Sequence, residues 1–400
     1  MSGPLAGVKV LELAQIMAGP TCGMMLADLG ADVIKVERVP GGDDTRRMDR
    51  PSVNGESASF MAMNRNKRGI ALNLKLPAAQ DALKRMAARA DVVTENYRQG
   101  TMEKLGVGYE SLRKINPAII YCSISGFGRT GPYADKGGYD LIAQGMSGLM
   151  GVTGEPGRAP AKSGGPVCDI NAGVLGALGV VSAYVHRLKT GEGQLVDTSL
   201  FEAGIQQMYW QAAIYFATGE VSGPTGSAHI LSAPYQAFRA ADGWLNIGGA
   251  NQANWERMCR VLGANDWLED ARFRTNADRM KNLGALTEVM NARLKSRKVD
   301  ELIKTLEAEG VPCGRINSIA EVAADPQALA REMVVELEHP RAGRTRALGL
   351  PVKLSRTPGK VSRPAPLLGQ HTREVLSEFG FSQTEIEALV QSGAAVAAEI

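Results

Sequence analysis

The chain is predicted to be an α/β protein, with a Rossmann-like parallel sheet forming a large domain beside a smaller α+β domain. Three observations predict this. Short β-branched runs alternate with helical patterns through the first third, 400 residues exceed the usual size of one hydrophobic core, and a Gly/Ser-rich stretch at 219–226 precedes a region of different patterning. Val8 to Leu13 reads as a strand, Pro20 to Leu29 as a helix opening on Gly19-Pro20, and Ala31 to Glu37 as the next strand, which together make a βαβ unit. The unit recurs. A helical stripe of Ala79, Ala82, Leu83 and Met86 leads to a strand at Asp91 to Glu95, and another strand follows at Ala118 to Ile124. The Gly/Pro-rich stretch 151–166 opens onto Asn171 to His186, apolar almost all round and therefore expected as a fully buried helix. Gln194 to Asp197 reads as a strand and Phe201 to Ala217 as a helix. Beyond the boundary, Trp244 to Ile247 is strand-like, and the spacings Leu286, Met290, Leu294 and Val299, Leu302, Ile303, Leu306 are helical. Short strand patterns return after Met333, before a helix near Thr372 to Phe379. The expected division is 1–218, 219–330, and a segment 331–400 returning to the large domain.

Composition excludes several functions. Basic and acidic residues number 45 and 42, a balance that gives no reason to expect nucleic acid or a membrane surface as partner. The five cysteines have no metal or redox spacing and the four histidines no HExxH pattern, so a metal centre is not expected and a reducing cytoplasm is. The start lacks the layout of a signal peptide, and the longest apolar segment, around Val174 to Val185, is shorter than the roughly 20 residues of a membrane span.

Three features could carry chemistry. Asp169 precedes the buried helix, where it could cap free N–H groups and be kept ionised by the helix dipole, or act as a carboxylate nucleophile with Gly164, Gly165, Pro166 and Gly173 leaving room for a ligand. Arg38, Arg65, Lys67, Arg68 and Lys75 flank predicted strand ends, either as a solvated charged loop or as a site for a phosphate-rich cofactor. Gly248-Gly249-Ala250-Asn251-Gln252 follows a predicted strand and is a turn or a mobile lid. The first strand's turn, Leu13 to Pro20, has no GxGxxG, which removes the best signature of a nicotinamide dinucleotide.

Nearly the whole chain resembles the family III CoA-transferases of the CaiB/BaiF type. The resemblance rests on Pro4 to Leu13, Ala18-Gly19-Pro20, Leu29 to Glu37, Gly41 to Arg46, Asn66-Lys67-Arg68, Glu95-Asn96-Tyr97, Gly138-Tyr139-Asp140 and Pro366 to Thr372. It implies that Asp169 is the nucleophile. It further implies that Ile16, Met17 and Ala18 meet the pantetheine and thioester end of CoA, and that Arg38, Leu72, Lys75, Asn96, Tyr97, Lys104 and Tyr139 line the CoA channel. Gly248, Gly249, Ala250, Asn251 and Gln252 match the family's active-site loop, with a shorter glycine run than its oxalate transferases carry. CoA or acyl-CoA is implied as substrate rather than as a tightly bound cofactor, with a carboxylic acid as acceptor and an interlocked homodimer as the assembly. The runs Tyr235 to Phe238 and Gly248 to Asn251 look most like the branch using succinyl-CoA and dicarboxylic acids. Arg46, Arg47 and Arg158 are then candidates for reading a distal carboxylate. A racemase of the same superfamily is the alternative, but it has a histidine and a glutamate where this chain has Tyr139 and Asn251, and neither of these is a base at neutral pH. A CoA-binding protein without activity is the other alternative.

Overall fold

A computed structural model describes residues 3–48 and 50–398. They divide into two compact units: Met1–Leu149, Lys162–Ala217 and Pro326–Ile400 form the first, and Met150–Ala161 with Thr218–Asp325 the second. Residues 150–161, expected in the large domain, therefore belong to the smaller unit. There the Gly226 N–H donates to the Gly154 carbonyl (2.8 Å), a contact between residues far apart in sequence.

The first unit is built on strands β1 (Lys9–Glu12), β2 (Asp32–Arg38), β3 (Arg68–Leu72), β4 (Val92–Glu95), β5 (Ile120–Ser125), β6 (Leu195–Ser199) and β7 (Ala395–Val396). Their order in the sheet is β7-β3-β2-β1-β4-β5-β6, parallel throughout except for the antiparallel β7 on the edge. Without that edge strand this is the Rossmann order 3-2-1-4-5-6, whose direction reverses between β1 and β4, where such sheets hold their ligands. Alternate residues go to opposite faces, and both faces are covered. Leu11, Ile34, Val93 and Tyr121 enter one core cluster, while their neighbours Val10, Val33, Val92 and Ile120 enter the other. Helix α1 (Ala18–Asp28) follows β1, and α2 (Pro77–Ala87) buries Ala79, Ala82, Leu83 and Met86 as its spacing predicts. Then come α3 (Asp140–Met146), α4 (Val167–Thr190) and α5 (Leu200–Gln206).

Two helices depart from expectation. α4 begins earlier than predicted, and at 24 residues it is long and apolar enough, by length and composition, to cross a membrane. It is not fully buried. A stripe of Cys168, Ala172, Gly173, Gly176, Ala177, Val180 and Ala183 is covered, whereas Leu178, Val185 and Leu188 are exposed. The predicted helix 201–217 is two helices, because the chain leaves α5 after Gln206 and restarts as Tyr209–Thr218.

The second unit has an antiparallel sheet of Tyr235–Arg239, Trp244–Gly248 and Cys313–Arg315. Helices including Leu283–Leu294 and Val299–Ala308 pack on it around Trp255, Phe273, Leu286 and Leu302.

Candidate active site

A cleft of about 390 Å³ opens in the first unit at the carboxyl ends of β1, β4 and β5. It is lined by Gln15 to Ala18 after β1, Asn96 to Gln99 after β4, Ser125 and Gly126 at the end of β5, and Asp169 from α4. The ligand position expected of this strand order is thus occupied by the residues after the switch-point strands.

Two close approaches assemble it. A β-carbon on Gly173 would lie 2.5 Å from the Ala18 carbonyl oxygen, so the glycine lets α4 pack directly onto the start of α1 and carries Asp169 towards the β1 turn. Its role is helix packing, not the ligand space expected from sequence. A β-carbon on Gly126 would lie 2.7 Å from the Gly138 α-carbon, and this glycine pair lets the segment before α3 lie against the end of β5.

Asp169 sits within the first turn of α4, which Pro166 precedes at the N-cap position. The aspartate is therefore not the cap. That task falls to Asp140 at the start of α3, a residue to which the sequence reading assigned no role. Its Oδ1 accepts from the N–H of Cys168 (2.9 Å) and of Asp169 (3.3 Å), and its Oδ2 accepts from Gln144 Nε2 (2.5 Å). Among the described residues none donates to the Asp169 carboxylate, which is half-buried. Burial first, and the Asp140 carboxylate second, push its pKa up to about 7. The expectation that the helix dipole keeps it firmly ionised is corrected accordingly: a second carboxylate has taken the free N–H groups. If Asp169 is the nucleophile that the sequence resemblance implies, the single-turnover rate at saturating acyl-CoA should rise with pH through a midpoint near 7, and Asp140→Asn should move that midpoint down. A rate flat from about pH 6 to 8 would contradict this.

Of the residues expected at the CoA channel, Ile16, Met17, Ala18, Arg38, Asn96, Tyr97 and Tyr139 line the cleft. Leu72, Lys75 and Lys104 do not. Leu72 is buried in β3 as part of the core, and Lys75 and Lys104 are exposed elsewhere on the first unit. Arg98 and Lys136 line the cleft and were missed. Among lining residues Arg38 already pairs with Asp44.

The basic run 65–68 is neither a solvated loop nor a phosphate site. Arg65 pairs with Asp28 (2.6 Å), Lys67 with Glu12 (2.8 Å), and Arg68 with Asp32, Glu374 and Glu378 (2.7 Å each), and these three basic side chains are nearly or wholly buried. Arg46 is likewise taken, by Glu37 (2.7 Å) and the Pro366 carbonyl, and Arg47 pairs with Asp44. Arg158 is exposed in the second unit.

The glycine loop also belongs to the second unit. Gly248 ends a strand and donates to the Pro312 carbonyl (2.7 Å), Asn251 caps the helix Gln252–Val261 through the Asn254 N–H (2.8 Å), and Gln252 accepts from Arg279 (3.1 Å).

A family model described as CoA-transferase family III matches residues 5–372. The chain belongs to this family. This CoA-transferase is 41% identical over 382 residues to succinate–glutarate CoA-transferase of Agrobacterium fabrum, the match covering 94% of this chain and 96% of that one. To succinyl-CoA–D-citramalate CoA-transferase of Chloroflexus aurantiacus it is 35% identical, covering 96% of each chain. The crystal structure of a CAIB/BAIF family protein from Brucella suis superposes with a TM-score of 0.86 at 41% identity, covering 95% of this CoA-transferase and 100% of that chain.

Proposed function

We propose that this CoA-transferase moves CoA from succinyl-CoA to a dicarboxylic acid through covalent intermediates on Asp169. One observation carries the reading: a half-buried carboxylate to which none of the described residues donates a hydrogen bond lies in the cleft at the sheet's switch point, in a chain of this family. Such a carboxylate is poorly solvated and therefore more nucleophilic than one in water.

Asp169 attacks the thioester carbonyl of the acyl-CoA, and the C–S bond breaks to give a mixed anhydride and CoA thiolate. The thiolate attacks the aspartyl carbonyl, forming an aspartyl-CoA thioester and releasing the first acid as its carboxylate. The acceptor carboxylate then attacks that thioester, expelling thiolate and forming a second anhydride. Attack of the thiolate on the acceptor's acyl carbon gives the new acyl-CoA and restores the Asp169 carboxylate. No proton is gained or lost, and no metal or nucleotide hydrolysis is needed.

Arg98 and Lys136 supply cations suited to the phosphates of CoA, beside Arg38, whose charge is shared with Asp44. The donor and acceptor classes follow the relatives named for succinyl-CoA with D-citramalate and for succinate with glutarate. A homodimer in a reducing cytoplasm completes the proposal. It is supported by the exposed apolar side chains of Leu178, Leu188, Tyr209, Trp210 and Phe216, which a partner would cover, and by five free thiols.

Incubation with succinyl-CoA alone, without acceptor, should yield a peptide spanning Asp169 that is heavier by one CoA in thioester linkage, detectable by mass spectrometry. Absence of that adduct in enzyme that binds CoA would refute the covalent route, and preference for a bulky monocarboxylate across a panel of acceptors would refute the substrate class.

A further inference from the structure

The turn between β1 and α1 lines the cleft, yet its backbone conformation is one that its residues do not favour. Ile16 has φ of 67°, in the left-handed region that β-branched residues shun, and no glycine is used where the left turn occurs. The turn is instead clamped from outside. Asn96 exchanges two hydrogen bonds with the N–H and C=O of Gln15 (2.8 Å each), Lys35 Nζ donates to the Ala14 carbonyl (2.9 Å), and the Ile16 N–H is shared between Asp43 Oδ1 (3.1 Å) and Oδ2 (3.2 Å).

Asp43 is itself fixed. Its Oδ2 lies 2.9 Å from Lys35 Nζ, and its Oδ1 accepts from the N–H (2.9 Å) and hydroxyl (2.8 Å) of Thr45. Burial alone would raise its pKa, but the Lys35 ammonium and the Thr45 hydrogen bonds outweigh that and hold it at about 2. Asp43 and Lys35 are 3% and 0% exposed, and neither lines the cleft, so whatever they contribute passes through the turn.

We infer that Asp43, held by Lys35, is a positioning residue that keeps the Ile16 turn in its left-handed conformation and so shapes the face of the cleft that receives CoA. The inference rests on the cleft being the acyl-CoA site. With Asp43 neutralised, the Lys35 ammonium keeps only Glu12 (3.2 Å) as a charged partner and the Ile16 N–H loses its charged acceptor, so the turn relaxes towards an extended backbone and the cleft loses its fit.

The test is CoA affinity of the intact protein by titration calorimetry, with melting midpoints recorded alongside. Asp43→Asn should weaken CoA binding about tenfold, whereas Asp28→Asn, which breaks the comparably buried pair with Arg65 away from the turn, should lower the melting midpoint with affinity within about twofold of wild type. In an Ile16→Gly background, where the left-handed turn needs no clamp, the further effect of Asp43→Asn should shrink to less than about threefold. Equal affinities in Asp43→Asn and wild type, or equal losses in Asp43→Asn and Asp28→Asn, would overturn the inference. Should Asp43→Asn fail to fold, Thr45→Ala loosens the same carboxylate, and it too must weaken CoA binding or the idea is wrong. Wild-type protein that binds CoA but forms no Asp169 adduct would remove the covalent route and leave this role standing.

Discussion

Asp169→Ala is expected to reduce CoA transfer by roughly 10⁴- to 10⁶-fold in kcat, the range spanned by losses within a nucleophilic catalytic unit. Its stability should not fall with its activity. The carboxylate receives no donor from the described residues and lies close enough to the Asp140 carboxylate to be repelled by it, so truncation removes an unfavourable interaction instead of a contact. A denaturation midpoint equal to or above wild type, with CoA still bound, is the expected companion result. Transfer at an unaltered rate would end the covalent reading. An inactive variant that is also strongly destabilised would show the residue to be structural.

The second large effect concerns the buried charges beneath the site. Glu12 at the end of β1 is fully buried and holds two ammonium groups, Lys35 (3.2 Å) and Lys67 (2.8 Å). A β-carbon on Gly23 would fall 1.7 Å from Glu12 Oε2, so α1 carries a glycine where the carboxylate sits. Glu12→Gln keeps the shape and removes the charge, leaving both cations without their shared anion. Unfolding in urea should reveal a loss of about 3–5 kcal/mol. Burial first, against the pull of Glu12, brings the Lys67 pKa down to about 8 from the 10.5 of a free lysine. The unfolded chain therefore holds that proton more tightly, and the stability contributed by this group rises as pH climbs from about 8 to 10.5. Without Glu12 to raise it, the Lys67 pKa of the folded Glu12→Gln variant falls further, so the deficit should narrow as pH rises towards about 8 and stay level above it; a deficit independent of pH below about 8, or one under about 1 kcal/mol, would show that the cluster does not share charge as described.

Strands were legible where the pattern is local. The β-branched runs at 8–13 and 91–95 contain β1 and β4, and the run 31–37 covers β2 but for its last residue, Arg38, because a parallel sheet covered on both faces needs continuous apolar stretches. The charged run 65–68 was misread because its partners Glu12, Asp28, Asp32 and Glu378 are distant in sequence, and no periodicity announces a buried ion pair. Asp169 was found, but its surroundings were not. The helix starts at Val167 rather than after the aspartate, and the side chain that caps it comes from another helix. Asp140 stood inside the quoted Gly138-Tyr139-Asp140, so the signal was present without a reason to assign it a role. The left-handed Ile16 left no trace in composition, since glycine or asparagine is the residue type that marks such a turn.

The edge strand β7 joins β3 by pairing Ala395 with Leu72 and Val396 with Ala71. Until residues 395–396 have been made and have docked, the flank of β3 displays unpaired amides and carbonyls, an invitation to intermolecular association. Chains lacking residues 395–396 should therefore depend on chaperones far more than chains that carry them.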